Sequence, residues 1–252
     1  MAISLASIKR GADDKPPRIV LYGVEGVGKT TFAAGAPDPI FIQTEDGLGE
    51  IDAPCFPVAK TFEAVMEAIT SLATEEHSFR TLVVDSLDWL EPLVWDYLCR
   101  QNKWANIEDP GYGKGYVAAV AIWREYLQAI NYLRDELNMA VIHIAHHQIK
   151  TFRNPETEPY DRYEIKLHSR ASEIMREHSD YVLFANYKIA TTKSGKGFNE
   201  TTRATGTGTR RLYTQERPAF QAKSRGNVPD SLPLEWAEFA QHLRYYSQEK
   251  GE

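Results

Sequence analysis

Glycine, lysine and threonine fall at the spacing of a phosphate cradle in Gly23-Val24-Glu25-Gly26-Val27-Gly28-Lys29-Thr30, with a second threonine at Thr31. This is a complete G-x-x-x-x-G-K-[ST] motif. Its glycines let the backbone curl until N–H groups point at phosphate oxygens. Lys29 is long enough to reach β- and γ-phosphates, and the Thr30 hydroxyl is suited to Mg²⁺. Two acids extend the chemistry. Asp85 closes the apolar run "TLVVDS" and would serve as the second magnesium-side acid, of Walker B type. Glu45 closes "PIFIQTE", where a carboxylate can orient and deprotonate a water attacking the γ-phosphate, which is general-base work.

These groups converge only if strands and helices alternate. "RIVLYG" is a short β-rich run before the glycines, and "KTTFAAGA" after them suits a helix whose positive end faces the anion. "PIFIQTE", "TLVVDS" and "MAVIHIA" read as further strands. Val65, Met66, Ile69 and Leu72 mark a helix in "FEAVMEAITSLATEE", and "VAAVAIWREYLQAINYLRDEL" is a long amphipathic one. The alternation predicts an α/β fold, a mostly parallel sheet with helices on both faces. "SDYVLFANYKI", "TRRLYTQ" and "PAFQAKS" are expected as later strands, antiparallel at one edge.

The 252 residues, 42% hydrophobic and 25% charged, suit a soluble globular chain. No apolar run approaches the roughly 18 residues of a membrane span, and the N-terminus lacks the pattern of a secretory signal. Cys55 and Cys99 form no metal spacing or disulfide framework. The reading is cytoplasmic. Charge is uneven: residues 186–226 hold nine Lys/Arg and two Glu, a net of +7, against −10 over residues 1–185. Such a segment suits a nucleic-acid face, or a solvated polar hairpin. His143, His146 and His147 give H-x-x-H-H, but strand alternation points the last two apart, so no metal beyond Mg²⁺ is expected. The five tryptophans read as core or interface residues, Trp104 in its loop excepted.

Guanine recognition would call for N-K-x-D, and Asn102-Lys103 is followed by Trp104-Ala105. A GTPase of the Ras type is therefore not expected. The order P-loop, "TEDGL", "VVDS", "HIAHHQIK", "AKSRGN" resembles the RecA-type ATPase core, and most of all the small RecA-core ATPases of bacteriophages. The resemblance covers Arg18 to about Leu234, leaving an N-terminal arm (1–17), the core (18–234) and a C-terminal extension (235–252). It implies a RecA-like P-loop core in the cytoplasm of a host cell. It implies Glu45 as catalytic base and Gln148 as γ-phosphate sensor, with His146 the alternative. Lys223 and Arg225 match a pair of cations that reach a neighbouring subunit's ATP.

The same resemblance implies single-stranded DNA bound by two loops. The first holds Lys103, Trp104, Tyr112 and Lys114, and the second Lys150, Arg153, Arg162 and Lys166. Cations interleaved with aromatics suit a single strand, since rings stack on bases while charges track phosphates. The leading expectation is thus an ATP-dependent, single-strand-binding recombinase or annealing protein. It would form a homo-oligomeric ring or filament and work beside a single-strand-binding protein or nuclease. A regulatory ATP-binding subunit and a small-molecule phosphotransferase are the other readings.

Overall fold

The computed structural model describes residues 15–194 and 201–247. Most of the arm 1–17, the centre of the basic segment and the last five residues lie outside them. Strand β1 (Arg18–Gly23) carries Ile19, Val20, Leu21 and Tyr22, none with any exposed surface. A run apolar at every position suits a parallel strand covered on both faces. Beside it in one sheet lie β2 (Pro39–Gln43), β3 (Thr81–Asp85), β4 (Ala140–Phe152) and β6 (Tyr181–Ser194), in the order β2-β3-β4-β1-β6. All neighbours on this path are parallel. Strand β4 thus separates the P-loop strand from the Asp85 strand, within the mostly parallel, helix-flanked sheet expected of an α/β P-loop core. The sheet then turns antiparallel through β7 (Thr201–Tyr213) and β8 (Ser231–Pro233).

Alternation sorts each strand's side chains to two cores. Val20, Tyr22, Ile42 and Val84 face α2 (Phe62–Thr74), α3 (Leu87–Asn102) and α4 (Lys114–Glu136). Ile19, Leu21, Phe41 and Val83 face α1 (Lys29–Ala34). Helix α2 begins where Thr61 accepts a hydrogen bond from the Ala64 N–H at 3.2 Å, a side-chain cap of the usual kind. It buries Phe62, Val65, Ala68, Ile69 and Leu72. The residues of α6 (Trp236–Ala240) and α7 (Arg244–Ser247) close the second core, with the Trp236 ring 5.5 Å from Phe32.

Three local expectations change. Residues 148–165 form a β-hairpin rather than an open loop: β4 runs on to Phe152 and pairs antiparallel with β5 (Tyr160–Ile165). "PAFQAKS" makes only isolated bridges, Phe220 to Tyr163 and Lys223 to Val182. Helices α3 and α5 (Ser169–His178) had no counterpart in the sequence reading. Among the described residues no helix is long and apolar enough to cross a membrane.

Candidate active site

The parallel strands end together, with Gly23 beside Ala185 and His146, and Asp85 beside Gln43 and Ile144. Carboxyl ends of parallel strands, where successive connections leave in opposite directions, form the crevice of open α/β sheets. A cavity of about 340 Å³ lies there, lined by Gly26, Gly28, Lys29, Thr30, Thr31, Glu45, Gly47, Ile51, Asp85, Ile144 and His146. The motif's glycines are required by their surroundings. A Cβ on Gly23 would fall 2.0 Å from the Ala185 carbonyl oxygen, and Gly28 takes φ of 103°.

Lys29 is 6% exposed, and its ammonium donates to the carbonyls of Gly23 and Val24 at 3.2 and 3.0 Å. Burial lowers its pKa, while Asp85, Asp88, Glu25 and Glu45 pull it back up. Thr30 Oγ1 donates to Asp85 Oδ2 at 2.9 Å. Burial pushes the Asp85 carboxyl up to about 6, against the Thr30 hydrogen bond. Burial of a carboxylate is costly even with Lys29 and His146 partly offsetting it, so the site favours a further positive ion beside it. Among the described residues no group of three or more His, Cys, Asp or Glu is placed to hold a metal. Two protein oxygens, with phosphate and water completing the shell, are what Mg²⁺ takes in phosphate sites. The residues fit Mg²⁺ with a nucleotide.

Glu45 is held from the neighbouring strand. Thr44 Oγ1 donates to the Ser86 carbonyl at 2.7 Å and accepts from the Ser86 N–H at 2.9 Å, stitching the ends of β2 and β3. Ser86 Oγ then donates to Glu45 Oε1 at 2.7 Å. His146 stands opposite, with Nδ1 3.9 Å from Glu45 Oε1 and 2.9 Å from Asp88 Oδ2. The His146 backbone N–H also donates to Asp88, at 2.9 Å. The side-chain hydrogen bond to Asp88 raises the His146 pKa despite partial burial. Burial alone would raise Asp88, but the side-chain and backbone hydrogen bonds of His146 outweigh it and the net shift is downward. Ser86, Thr44 and Asp88 were missed in the sequence.

Gln148 lies elsewhere. Its Nε2 donates to the Ile165 and Leu167 carbonyls at 2.8 and 3.0 Å, tying β4 to the end of β5. Of the two sensor candidates, only His146 borders the cavity. His147 turns away, its ring 5.2 Å from that of Tyr163. Lys223 caps the end of α5, donating to the Arg176 and Ser179 carbonyls at 3.0 and 2.7 Å. This engages it within its own subunit, against the expectation that it reaches outward. Arg225, its side chain 61% exposed, pairs with Asp180 at 3.2 Å. Asp180 also holds Arg18, so Arg225 stands at the end of the sheet opposite its own P-loop.

The two expected DNA segments meet. Tyr116, in the first turn of α4, stacks on His168, just past β5, at 4.1 Å between ring centroids. Lys103, Tyr112 and Lys114 are exposed on the first segment, and Lys150, Arg153 and Lys166 on the second. Trp104 is half-buried against the core. Arg162 is also withdrawn, with its guanidinium 3.7 Å from the Phe152 ring centroid and 2.8 Å from Glu164. Beneath them Glu91 accepts the His168 N–H with both oxygens, at 3.1 and 2.9 Å. Burial pushes its carboxyl up to about 7, against that hydrogen bond, with Asp88 adding to the rise. An acid raised from 4.5 to about 7 is penalised when ionised, so stability falls as pH rises between those values. Glu91→Gln is expected to raise the thermal midpoint at pH 8, by an amount worth ~3 kcal/mol, with the gain vanishing near pH 4. Melting curves across pH check this.

A family model described as an AAA domain, AAA_24, matches residues 15–226. The SPbeta prophage-derived uncharacterized protein YorG of Bacillus subtilis (strain 168) is 28% identical over 136 residues, 51% of this chain and 40% of that protein. The chain thus spans about two fifths of that relative's length. The RadB recombinase crystal structure is matched at 17% identity and a TM-score of 0.44, over 79% of this chain and 80% of that one. With its P-loop, buried Asp85 and matched residues 15–226, the chain belongs to the AAA_24 family of AAA domains, P-loop ATPases.

Proposed function

We propose that the chain is an ATP-dependent, single-stranded-DNA-binding recombination protein, a RecA-like recombinase or single-strand annealing protein. It binds and hydrolyses ATP between subunits of an oligomeric ring or filament. One observation carries this reading. Strand β4 borders the phosphate cavity at His146 and continues without a break into the hairpin bearing Lys150 and Arg153. Asp88 reinforces the link, holding His146 at 2.9 Å and lying 3.7 Å from Lys166. A change at the γ-phosphate is thereby conveyed to the hairpin through one strand and one carboxylate.

When bound, Mg²⁺ neutralises charge on the phosphate oxygens. The chain supplies the rest. Lys29 exchanges its two carbonyl partners for phosphate oxygens, and Thr30 and Asp85 hold the magnesium side. Glu45, fixed by Ser86, takes the proton of the attacking water. His146 donates to the terminal phosphate. Arg225, facing away from its own site, is the cation offered to a neighbour's nucleotide, while Lys223 stays on α5. Lys103, Tyr112, Lys114, Lys150, Arg153 and Lys166 face the single strand, and Trp104 and Arg162 support them from behind.

Fluorescence anisotropy of a labelled oligo(dT) across a salt series tests the DNA surface. Affinity is expected to fall steeply with salt. The Lys150→Glu/Arg153→Glu double variant is expected to flatten the slope of log affinity against log salt by about 1.4, at ~0.7 per phosphate contact on a single strand. An unchanged slope, or no binding by the parent at low salt, contradicts the assignment.

A further inference from the structure

A cation that no motif singles out leans on the phosphate loop. Arg210 stands on β7, directly opposite Tyr187 of β6. Strand β6 flanks β1 on the side away from β4, so this pair borders the P-loop across from Glu45, Asp85 and His146. One hydrogen bond and one close approach place the hairpin base there. The Tyr187 hydroxyl donates to the Gly26 carbonyl at 3.2 Å. A Cβ built on Gly28 would lie 3.0 Å from Arg210 Nη1, with Leu234 beyond it at 4.0 Å.

Arg210 is exposed. Its neighbour Arg211 is spoken for, donating to Ser231 of β8. Several arginines elsewhere in the fold sit on carboxylates, as Arg18 does on Asp180 and Arg100 on Glu63. No carboxylate among the described residues is within ion-pair distance of Arg210. A planar guanidinium free of carboxylates and set against a loop of phosphate-binding sequence matches an incoming phosphate in charge and in fork geometry.

We propose that Arg210 is a nucleotide-binding residue acting in cis, its guanidinium taking non-bridging oxygens of the polyphosphate from the β6 side of the loop. Lys29 takes them from the side of Asp85 and His146. The nucleotide is then clamped between two cations of one subunit, apart from any contribution by Arg225 of a neighbour. This assignment rests on the reading of the loop as the nucleotide site.

Titration calorimetry with ATP and ADP on the DNA-free full chain tests it, beside Arg210→Ala and Arg210→Lys. Loss of charge-assisted hydrogen bonds predicts roughly ten- to hundredfold weaker binding of both nucleotides to Arg210→Ala. Arg210→Lys, keeping charge without the fork, is expected between the two. The thermal midpoint of unliganded Arg210→Ala should equal the parent's. Binding by Arg210→Ala within about twofold of the parent overturns the assignment and leaves the nucleotide site standing. A weakened affinity that tracks a lowered unliganded midpoint makes Arg210 a structural prop and also overturns it. A parent that binds neither nucleotide sinks the reading of the loop first, and the assignment with it.

Discussion

Glu45→Gln is expected to lower ATP turnover by about 10²–10⁴-fold, the usual worth of a positioned general base, while ATP affinity holds. Glutamine keeps the size of the side chain and can still accept the Ser86 hydroxyl, which lies 2.7 Å from Glu45 Oε1. It cannot take a proton from water. Nothing that grips phosphate is altered, because Lys29, Thr30 and Asp85 stand on other elements. Single-turnover hydrolysis beside nucleotide binding separates the two effects. Ser86→Ala is expected to fall between parent and Glu45→Gln, since it frees the carboxylate to wander without removing it. Loss of ATP affinity in Glu45→Gln would instead make Glu45 part of the binding shell.

His146→Ala should be the next largest loss, about 10²–10³-fold in turnover, as for removal of one donor aimed at developing charge. The ring is held by Asp88 through Nδ1 at 2.9 Å, and Nε2 has no partner among the described residues. Asp88 favours the imidazolium, which donates from both nitrogens. The sign of the pH effect follows. A His pKa raised above its ordinary value keeps the donor charged to higher pH than a free imidazole, and activity falls as pH climbs through it. Asp88→Asn removes the raising partner, so the alkaline limb of the rate profile is expected to move to lower pH. A merely structural Asp88 would lower the rate at every pH without moving that limb.

The P-loop was legible because its chemistry is local. The glycines, Lys29 and Thr30 are neighbours in the chain as well as in space. Strands β1 and β3 were legible for a related reason, since burial on both faces leaves an uninterrupted apolar run. Helix α3 was not, because Pro92 stands inside it and breaks the pattern by which helices are recognised. Asp88 was invisible on other grounds. A polar residue just past a strand is commonplace, and its meaning comes from His146, 58 positions away. The "KSR" spacing made Lys223 and Arg225 look alike. Only the fold reveals that the carbonyls closing α5 capture the first while Asp180 holds the second outward. Arg210 carries no motif at all, and its closeness to Gly28 exists only through the pairing of β1, β6 and β7.

The measurement that bears most directly on the central claim is ATP hydrolysis with and without single-stranded DNA, at low and moderate salt, for the parent and Glu45→Gln. The account predicts that DNA stimulates the parent, more weakly as salt rises, and that Glu45→Gln binds DNA without hydrolysing ATP. Absence of both DNA binding and stimulation at either salt would contradict it, leaving an AAA-domain ATPase whose exposed hairpin serves something other than a nucleic acid strand.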